Sequence, residues 1–424
     1  MKFKQRDAQN QRIERITTNH LVIGIDVAKE IQFARAVNYR GIELGKSCSF
    51  TNDLSGFTQL RNWIQAIQRQ HDKTEVVIGM EPTGHYWLNL AHWLLEQKYE
   101  VVVVNPYQVK CNKENRDNSP TKNDVKDALV IADMVRNGYF SVLRLPTGKF
   151  EDLRILISSR EFASKQLISI QNQIHRWLDI WFPEYHHVFK DWTCKSSLLT
   201  LELFPLPADL KHLSAEEIYA QWKPHMKKRR CNFIFAKTLH EYALLSVGSH
   251  TGHRQAKQNL SFLLSQYKTL SAYLTQLEQD ALTLLQEIPQ AMPILAIKGM
   301  GAITLASILS ETGDLGGYNH GQQILRLAGL HLSEISSGKH KGQTRITKRG
   351  RPLLRKVLFL AVIHLVTSNR EFKTLHQHYT KVKKMKGIQS IIKLCGKLAR
   401  IMVAMTNQNQ SYAPEKFTAI PLVA

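Results

Sequence analysis

Two strand-like runs, each ending on an acid, constrain the fold of this chain more than any other feature. Leu21-Val-Ile-Gly-Ile25 is a continuous apolar run, short for a core helix, and it stops on Asp26. Glu75-Val-Val-Ile-Gly-Met80 repeats the form and stops on Glu81, where Pro82 and Gly84 break it. Uninterrupted apolar runs of this length belong to buried strands. Between the two lie β-like stretches around 31–38 and 41–50, with a turn at Tyr39-Arg-Gly41. Asn52-Asp-Leu-Ser-Gly then opens a helix, and Phe57, Leu60, Trp63, Ile64 and Ile67 recur along it at helical spacing until about Gln70. After Gly84 come a helix over about 86–97, a strand at Val101-Val-Val-Val104, a basic loop-like stretch from Lys110 to Lys122, and a helix beginning at Asp124.

The order is therefore βββαβαβα. Asp26 ends the first strand and Glu81 the fourth, while Asp124 and Asp127, three apart, share one face at the start of the last helix. That order with those placements predicts an RNase H-like α/β domain, in which the first and fourth strands run side by side and make Asp26 and Glu81 neighbours. Four converging carboxylates repel one another, and a divalent metal, Mg²⁺ or Mn²⁺, is the partner expected to hold them together. A Gly-Ile-Asp strand also opens the sugar-kinase and actin ATPases. Val27-Ala-Lys29 is a poor match to their phosphate-binding turn, and no duplicate of it follows.

The chain carries 57 Lys and Arg against 35 Asp and Glu, a formal charge of +22. That balance points to a polyanionic partner, most simply nucleic acid. No apolar run approaches the roughly 20 residues of a membrane span, so no membrane partner is expected. The opening Met1-Lys-Phe-Lys-Gln-Arg-Asp lacks a signal-peptide pattern. Five scattered cysteines (Cys48, Cys111, Cys194, Cys231, Cys395) without a Cys-x-x-Cys read as reduced thiols, and together these features predict a cytoplasmic protein. The 424 residues exceed one comfortable core. The expected division is a polar arm at 1–19, the acidic domain at 20–148, a helical region at 149–288, a C-terminal domain at 289–380, and a last helix and tail at 381–424.

In the helical region, apolar residues recur at helical spacing from Glu151 to Trp181 and again from about Ala256 to Ile288, and Phe182-Pro183 ends the first stretch. Helices of about 30 residues extend about 45 Å, long for a globular core, which predicts an antiparallel coiled-coil arm or dimerisation element. Further on, Ile294-Leu-Ala-Ile-Lys-Gly299-Met-Gly301-Ala-Ile-Thr304 reads as a helix-hairpin-helix turn in a mostly helical C-terminal domain. There the second helix offers backbone N–H groups to a DNA phosphate. Next comes Gly329-Leu-His-Leu-Ser-Glu-Ile-Ser-Ser-Gly338, followed by Lys339, Lys341, Arg345, Lys348, Arg349 and Arg351. A hydroxyl set among cations is what a phosphodiester-attacking nucleophile requires. Ser-Ser-Gly is also ordinary turn chemistry, so the segment alone decides nothing.

With both halves in view, the chain resembles the transposases of the IS one-ten insertion-sequence family, which includes the Piv-like DNA invertases. Asp26 in Gly-Ile-Asp-Val-Ala-Lys, Glu81 in Glu-Pro-Thr-Gly, and Asp124 with Asp127 in Lys-Asn-Asp-Val-Lys-Asp-Ala match that family's Asp-Glu-Asp-Asp set. Gly329-Leu and Ser337-Gly338, followed by Ile346-Thr-Lys-Arg-Gly350, match its C-terminal serine motif, over a likeness running from about residue 20 to about 405. Two positions depart from the pattern: Leu332 stands where the family usually has proline, and Asn123 where it usually has threonine. The resemblance implies a RuvC-like acidic domain holding Mg²⁺ and a bacterial-type cytoplasmic recombinase acting on DNA element ends and target. It also implies Ser337 as the nucleophile of a covalent protein–DNA intermediate, a homodimer assembling to a tetramer, and a structured guide RNA. Two rival functions stay open on the residues themselves. One is a metal-dependent junction endonuclease that needs no serine, and the other is a non-enzymatic basic DNA-binding protein.

Overall fold

The computed structural model describes residues 9–82, 84–116, 124–143, 145–225, 233–334, 342 and 344–414. The chain divides into two units, Met1–Arg144 and Leu145–Ala424. In the first, the elements run β1 (His20–Asp26), β2 (Ile31–Val37), β3 (Cys48–Thr51), α1 (Leu54–Gln70), β4 (Glu75–Met80), α2 (Trp87–Glu96), β5 (Glu100–Val103), α3 (Pro106–Arg116), α4 (Asp124–Arg136) and β6 (Ser141–Val142). They form one mixed sheet in the order β3-β2-β1-β4-β5-β6. β1 pairs antiparallel with β2 and parallel with β4, so the two acid-ended runs are neighbours, with Ile25 opposite Met80. This α/β arrangement is consistent with an RNase H-like domain.

Local chemistry explains most of the boundaries. Asp53 caps α1 by accepting the Gly56 N–H at 2.8 Å, and Leu60 and Ile64 are fully buried along its inner face. The stretch expected as a strand over 41–50 forms a strand only from Cys48, after one isolated bridge of Glu43 to Val37, because Gly41 and Gly45 take positive φ angles and turn the chain. The stretch from Lys110, expected as a loop, belongs in its first part to α3. Asn105 accepts the Tyr107 N–H at 2.9 Å, Pro106 occupies the first helical position and Val109 is buried. Edge strand β6 has only two residues and left no periodicity to read.

In the second unit, α5 (Lys149–Trp181, 33 residues) and α6 (His253–Gln286, 34 residues) lie along each other. Lys149 pairs with Glu287 at 2.6 Å, Arg160 with Glu278 at 2.6 Å, and the Trp177 indole donates to the Ala256 carbonyl at 2.9 Å. Residues rising on one helix meet residues falling on the other, so the pair is antiparallel and each long helix finds its partner within the chain. At one end a small helical cap, residues 182–225 and 233–252, closes a core of Trp177, Phe182, Tyr185, Leu206 and Trp222 together with Leu260 and Leu264 of α6. At the other end Leu153, Ile157 and Leu285 join the C-terminal core. That core is built on α7 (Ala302–Thr312), α8 (Gln322–Leu327), α9 (Pro352–Ser368), α10 (Arg370–Gln377) and α11 (Gly387–Gln408). Among the described residues no single helix is long and apolar enough to cross a membrane.

Besides the core it shares with the long helices, hydrogen bonds hold the cap where it leaves and rejoins the arm. Glu184 accepts hydrogen bonds from Ser246 Oγ at 2.6 Å and the Val247 N–H at 3.0 Å, and the Ser249 N–H donates to the Ile180 carbonyl at 2.9 Å. Burial opposes the charged form of Glu184, but these hydrogen bonds outweigh it and hold its pKa below the usual carboxylate value. A depressed folded-state pKa contributes stability above the unfolded value and loses it as pH falls through the folded one. Glu184→Ala is therefore expected to cost about 1–2 kcal/mol near pH 7. Against wild type in thermal melts, that deficit should shrink below about pH 4. A deficit that persists undiminished in acid would refute the linkage.

Candidate active site

The placement of the acids begins with two glycines. Gly24 and Gly79 are register partners on β1 and β4, and each stands two residues before its strand's acid, in Gly24-Ile-Asp26 and Gly79-Met-Glu81. A Cβ on Gly24 would lie 2.1 Å from the Ala128 carbonyl oxygen and 2.3 Å from the Ala132 nitrogen. A Cβ on Gly79 would lie 2.3 Å from Val135 Cγ2. The glycine pair thus forms a smooth floor, on which α4 rests its backbone at Gly24 and its Val135 side chain at Gly79. Side chains alternate between faces along a strand, so Asp26 and Glu81 sit on the same sheet face as the glycines and as α4. Asp127 adjoins Ala128, the residue in contact with Gly24, and is buried to 7% exposure. Asp26 and Glu81 are half-buried.

The fold therefore brings Asp26, Glu81 and Asp127 to one region, past the ends of two parallel strands and beside the first turns of α4. Asp124 is the first residue of α4, one turn before Asp127, and its side chain lies outside the described residues. The donor set is all oxygen, which fits a hard dication such as Mg²⁺. Among the described residues no three His, Cys, Asp or Glu side chains already form a ligand group, so the fit rests on donor chemistry and placement rather than on a pre-formed cage.

Gly24→Ala tests this geometry without touching a carboxylate. Its methyl group would meet backbone atoms that cannot rotate away, so α4 must lift. A loss of about 3 kcal/mol is expected, at the upper end of overpacking costs, with displacement of Asp127. A thermal melt of the variant matching wild type would show that α4 does not depend on this contact.

In the second unit the serine segment sits on a hairpin that periodicity did not reveal. β7 (Leu332–Glu334) pairs antiparallel with β8 (Thr344–Ile346). The connection between them holds Ser336, Ser337, Gly338, Lys339 and Lys341, all outside the described residues. The hairpin's root is tightly fixed. The Lys348 N–H donates to the Gly329 carbonyl at 3.0 Å and the Arg351 N–H to the Leu327 carbonyl at 2.7 Å. A Cβ on Gly329 would meet the Lys348–Arg349 backbone at 2.9 Å, and one on Gly350 would lie 2.4 Å from the Leu327 carbonyl oxygen. The Arg355 guanidinium donates to the carbonyls of Ala328 at 3.0 Å and Lys348 at 3.1 Å.

Arg345, Lys348 and Arg349 are exposed along the returning strand and turn. Arg351 instead turns inward, donating to the Glu311 carbonyl and lying 3.8 Å from its carboxylate. Burial lowers its pKa, and Glu311 partly offsets that. Gly299 adopts φ +97 against Ser368 and the His364 carbonyl of α9, and Gly301 caps α7. From Leu305 to Ser310, α7 is wholly buried, leaving its first turn as the accessible end.

Comparison with known proteins agrees with both regions. A transposase family model, of the Asp-Glu-Asp-Asp type found in IS110 elements, matches residues 23–183. A second, the transposase of the IS116/IS110/IS902 family, matches residues 291–377. The chain belongs to the IS110/IS116/IS902 transposase family. The first match of this transposase family spans Asp26, Glu81, Asp124 and Asp127, and the second spans Gly299, Gly301, Ser337 and the basic residues through Arg351. A pilin gene-inverting protein of Moraxella lacunata is 30% identical over 146 residues, 34% of this chain and 44% of its own. The chain thus spans less than half the length of that relative. A 44.8 kDa protein of insertion element IS116 from Streptomyces clavuligerus is 23% identical over 405 residues, 94% of this chain and 98% of its own. The mini-circle putative transposase for IS117 of Streptomyces coelicolor is 24% identical over 342 residues, covering 77% and 80%.

Proposed function

We propose that this chain is a DNA transposase or site-specific recombinase that cuts and rejoins strands through a composite site. The observation that carries the reading is the glycine floor under α4, which gathers Asp26, Glu81 and Asp127 on one face of the sheet. In this reading Asp26, Glu81, Asp124 and Asp127 hold Mg²⁺ or Mn²⁺ in a RuvC-like domain. The metal, when bound, supplies positive charge to the phosphate being cut. Ser337 Oγ attacks phosphorus and gives up its proton to a neighbouring base. A P–O bond to serine forms, the P–O bond to the sugar breaks, and the sugar oxygen leaves as a hydroxyl. Attack by a hydroxyl of the exchanged strand reverses the step and frees the serine. One phosphodiester replaces another, so the exchange needs no external energy source.

Lys339, Lys341, Arg345, Lys348 and Arg349 contact phosphate around that serine, and the Gly299–Gly301 turn presents the N-terminus of α7 to the backbone. The partners are element-end and target DNA, a second copy of the chain assembling toward a tetramer, and a structured guide RNA. The gene-inverting and transposase relatives support the DNA partners, while the guide RNA and the assembly rest on family membership.

A single assay decides the chemistry. The protein is incubated with cognate element ends and Mg²⁺, then denatured in detergent. DNA retained on protein is the expected result. Free cut DNA would indicate a hydrolytic junction endonuclease, and absence of both products a non-enzymatic DNA binder.

A further inference from the structure

Between residues 335 and 414 the chain has seventeen lysines and arginines and one acid, Glu371, which accounts for most of its +22 charge. Much of this charge lies beyond residue 377, where the second family match ends. Lys386 at the cap of α11, then Lys393, Lys397 and Arg400 along it, are spaced by seven, four and three, and so share one face of the helix. The opposite face, with Leu394, Cys395, Leu398 and Met402, is buried in the C-terminal core. Lys386, Lys393 and Arg400 are exposed and Lys397 half-buried. Among the described residues no carboxylate pairs with Lys386, Lys393 or Arg400. Lys381, Lys383 and Lys384 continue the charge into the preceding turn, which is closed by the Lys383 N–H to His378 and the Met385 N–H to Tyr379 carbonyl bonds, each 3.0 Å.

We infer that this face of α11 is a second, sequence-independent docking surface for the backbone of duplex DNA. The inference rests on the proposed function above. From Lys386 to Arg400 the stripe rises about 21 Å, which faces about six phosphates of one duplex strand. Helix α11 contains no aromatic residue, and the Lys393 ammonium covers the nearby Tyr379 ring at 4.3 Å. The surface therefore lacks the stacking platforms on which single strands bind. It is also unsuited to membrane insertion, because the apolar side of α11 is already used in the core. Lys397 is crowded: burial and the adjacent Arg400 lower its pKa, a strain that an arriving polyanion relieves.

The test uses full-length protein and a 30-base-pair duplex DNA of arbitrary sequence, titrated by fluorescence anisotropy across a salt series. The triple variant Lys386→Ala, Lys393→Ala, Arg400→Ala is expected to bind about 30-fold more weakly near 100 mM salt. The slope of log affinity against log salt should also be shallower by about 2–3 units. Circular dichroism melts confirm folding, and Lys393→Glu alone should weaken binding if the triple variant folds poorly. An unchanged slope in both variants overturns the surface while leaving the DNA reading intact. Wild-type protein that fails to bind duplex at low salt overturns both. A parallel titration with duplex RNA or anionic phosphatidylserine vesicles that responds more strongly to the substitutions than DNA does also overturns the assignment.

Discussion

Asp26→Asn protein is expected to retain DNA binding within a few-fold while losing strand cleavage by a factor of about a thousand or more. The substitution preserves shape and removes one anionic oxygen from the set that would hold the dication, and hard cations depend on ligand charge. DNA affinity comes from a distributed basic surface, which one carboxylate barely affects. Asp26 ends β1 beside Glu81, and Asp127 is placed by the contact of Gly24 with Ala128, so Asp127→Asn should behave alike. Cleavage of a supercoiled substrate with element ends, followed across a Mg²⁺ series, gives the readout. Wild-type rates in the Asp26→Asn protein would end the metal assignment, and recovery at high Mg²⁺ would strengthen it.

The second large effect concerns the hairpin. Ser337→Ala is expected to bind DNA normally and to form no detergent-stable adduct, whereas Ser336→Ala keeps most of the activity. A serine hydroxyl is a weak nucleophile at neutral pH and needs a base and cations around it. In the proposed reading, the exposed Arg345, Lys348 and Arg349 on the returning side of the hairpin would supply part of that setting. Mixing Ser337→Ala with Asp127→Asn protein asks a further question. Restored cleavage means that one protomer's serine works with another's carboxylates, which would make cutting conditional on assembly. A covalent adduct from Ser337→Ala alone would falsify the nucleophile assignment.

The sequence was most legible where a physical pattern is local. Apolar runs ending on Asp26 and Glu81 marked two strands, Asp53 marked the start of α1, and helical spacing placed α5 and α6 within a few residues of their ends. Long-range pairing was hidden. Nothing local shows that Gly24 and Gly79 lie opposite each other, although the repeated Gly-x-acid form was there to be noticed. The polar, basic stretch Pro106–Arg116 carries little amphipathic signal, and its helix follows from a cap at Asn105. Strands β7 and β8 are three residues each, too short for alternation to register. Arg351 read as one more phosphate-facing cation because its neighbours are basic, yet its partner Glu311 lies forty positions earlier.

The fastening of the cap at Glu184 has a consequence for how this chain can be altered. A Cβ on Gly248 would lie 2.2 Å from the Trp181 carbonyl oxygen, so the chain departs from α5 and returns toward α6 through touching backbone. The described cap residues leave and rejoin the arm at that junction, and beyond it their core is continuous with Ile170, Ile174, Leu260 and Leu264 of the helical pair. Entry and exit of the cap coincide there. A graft at this point therefore has to keep the cap in place, because the cap covers apolar residues of both long helices.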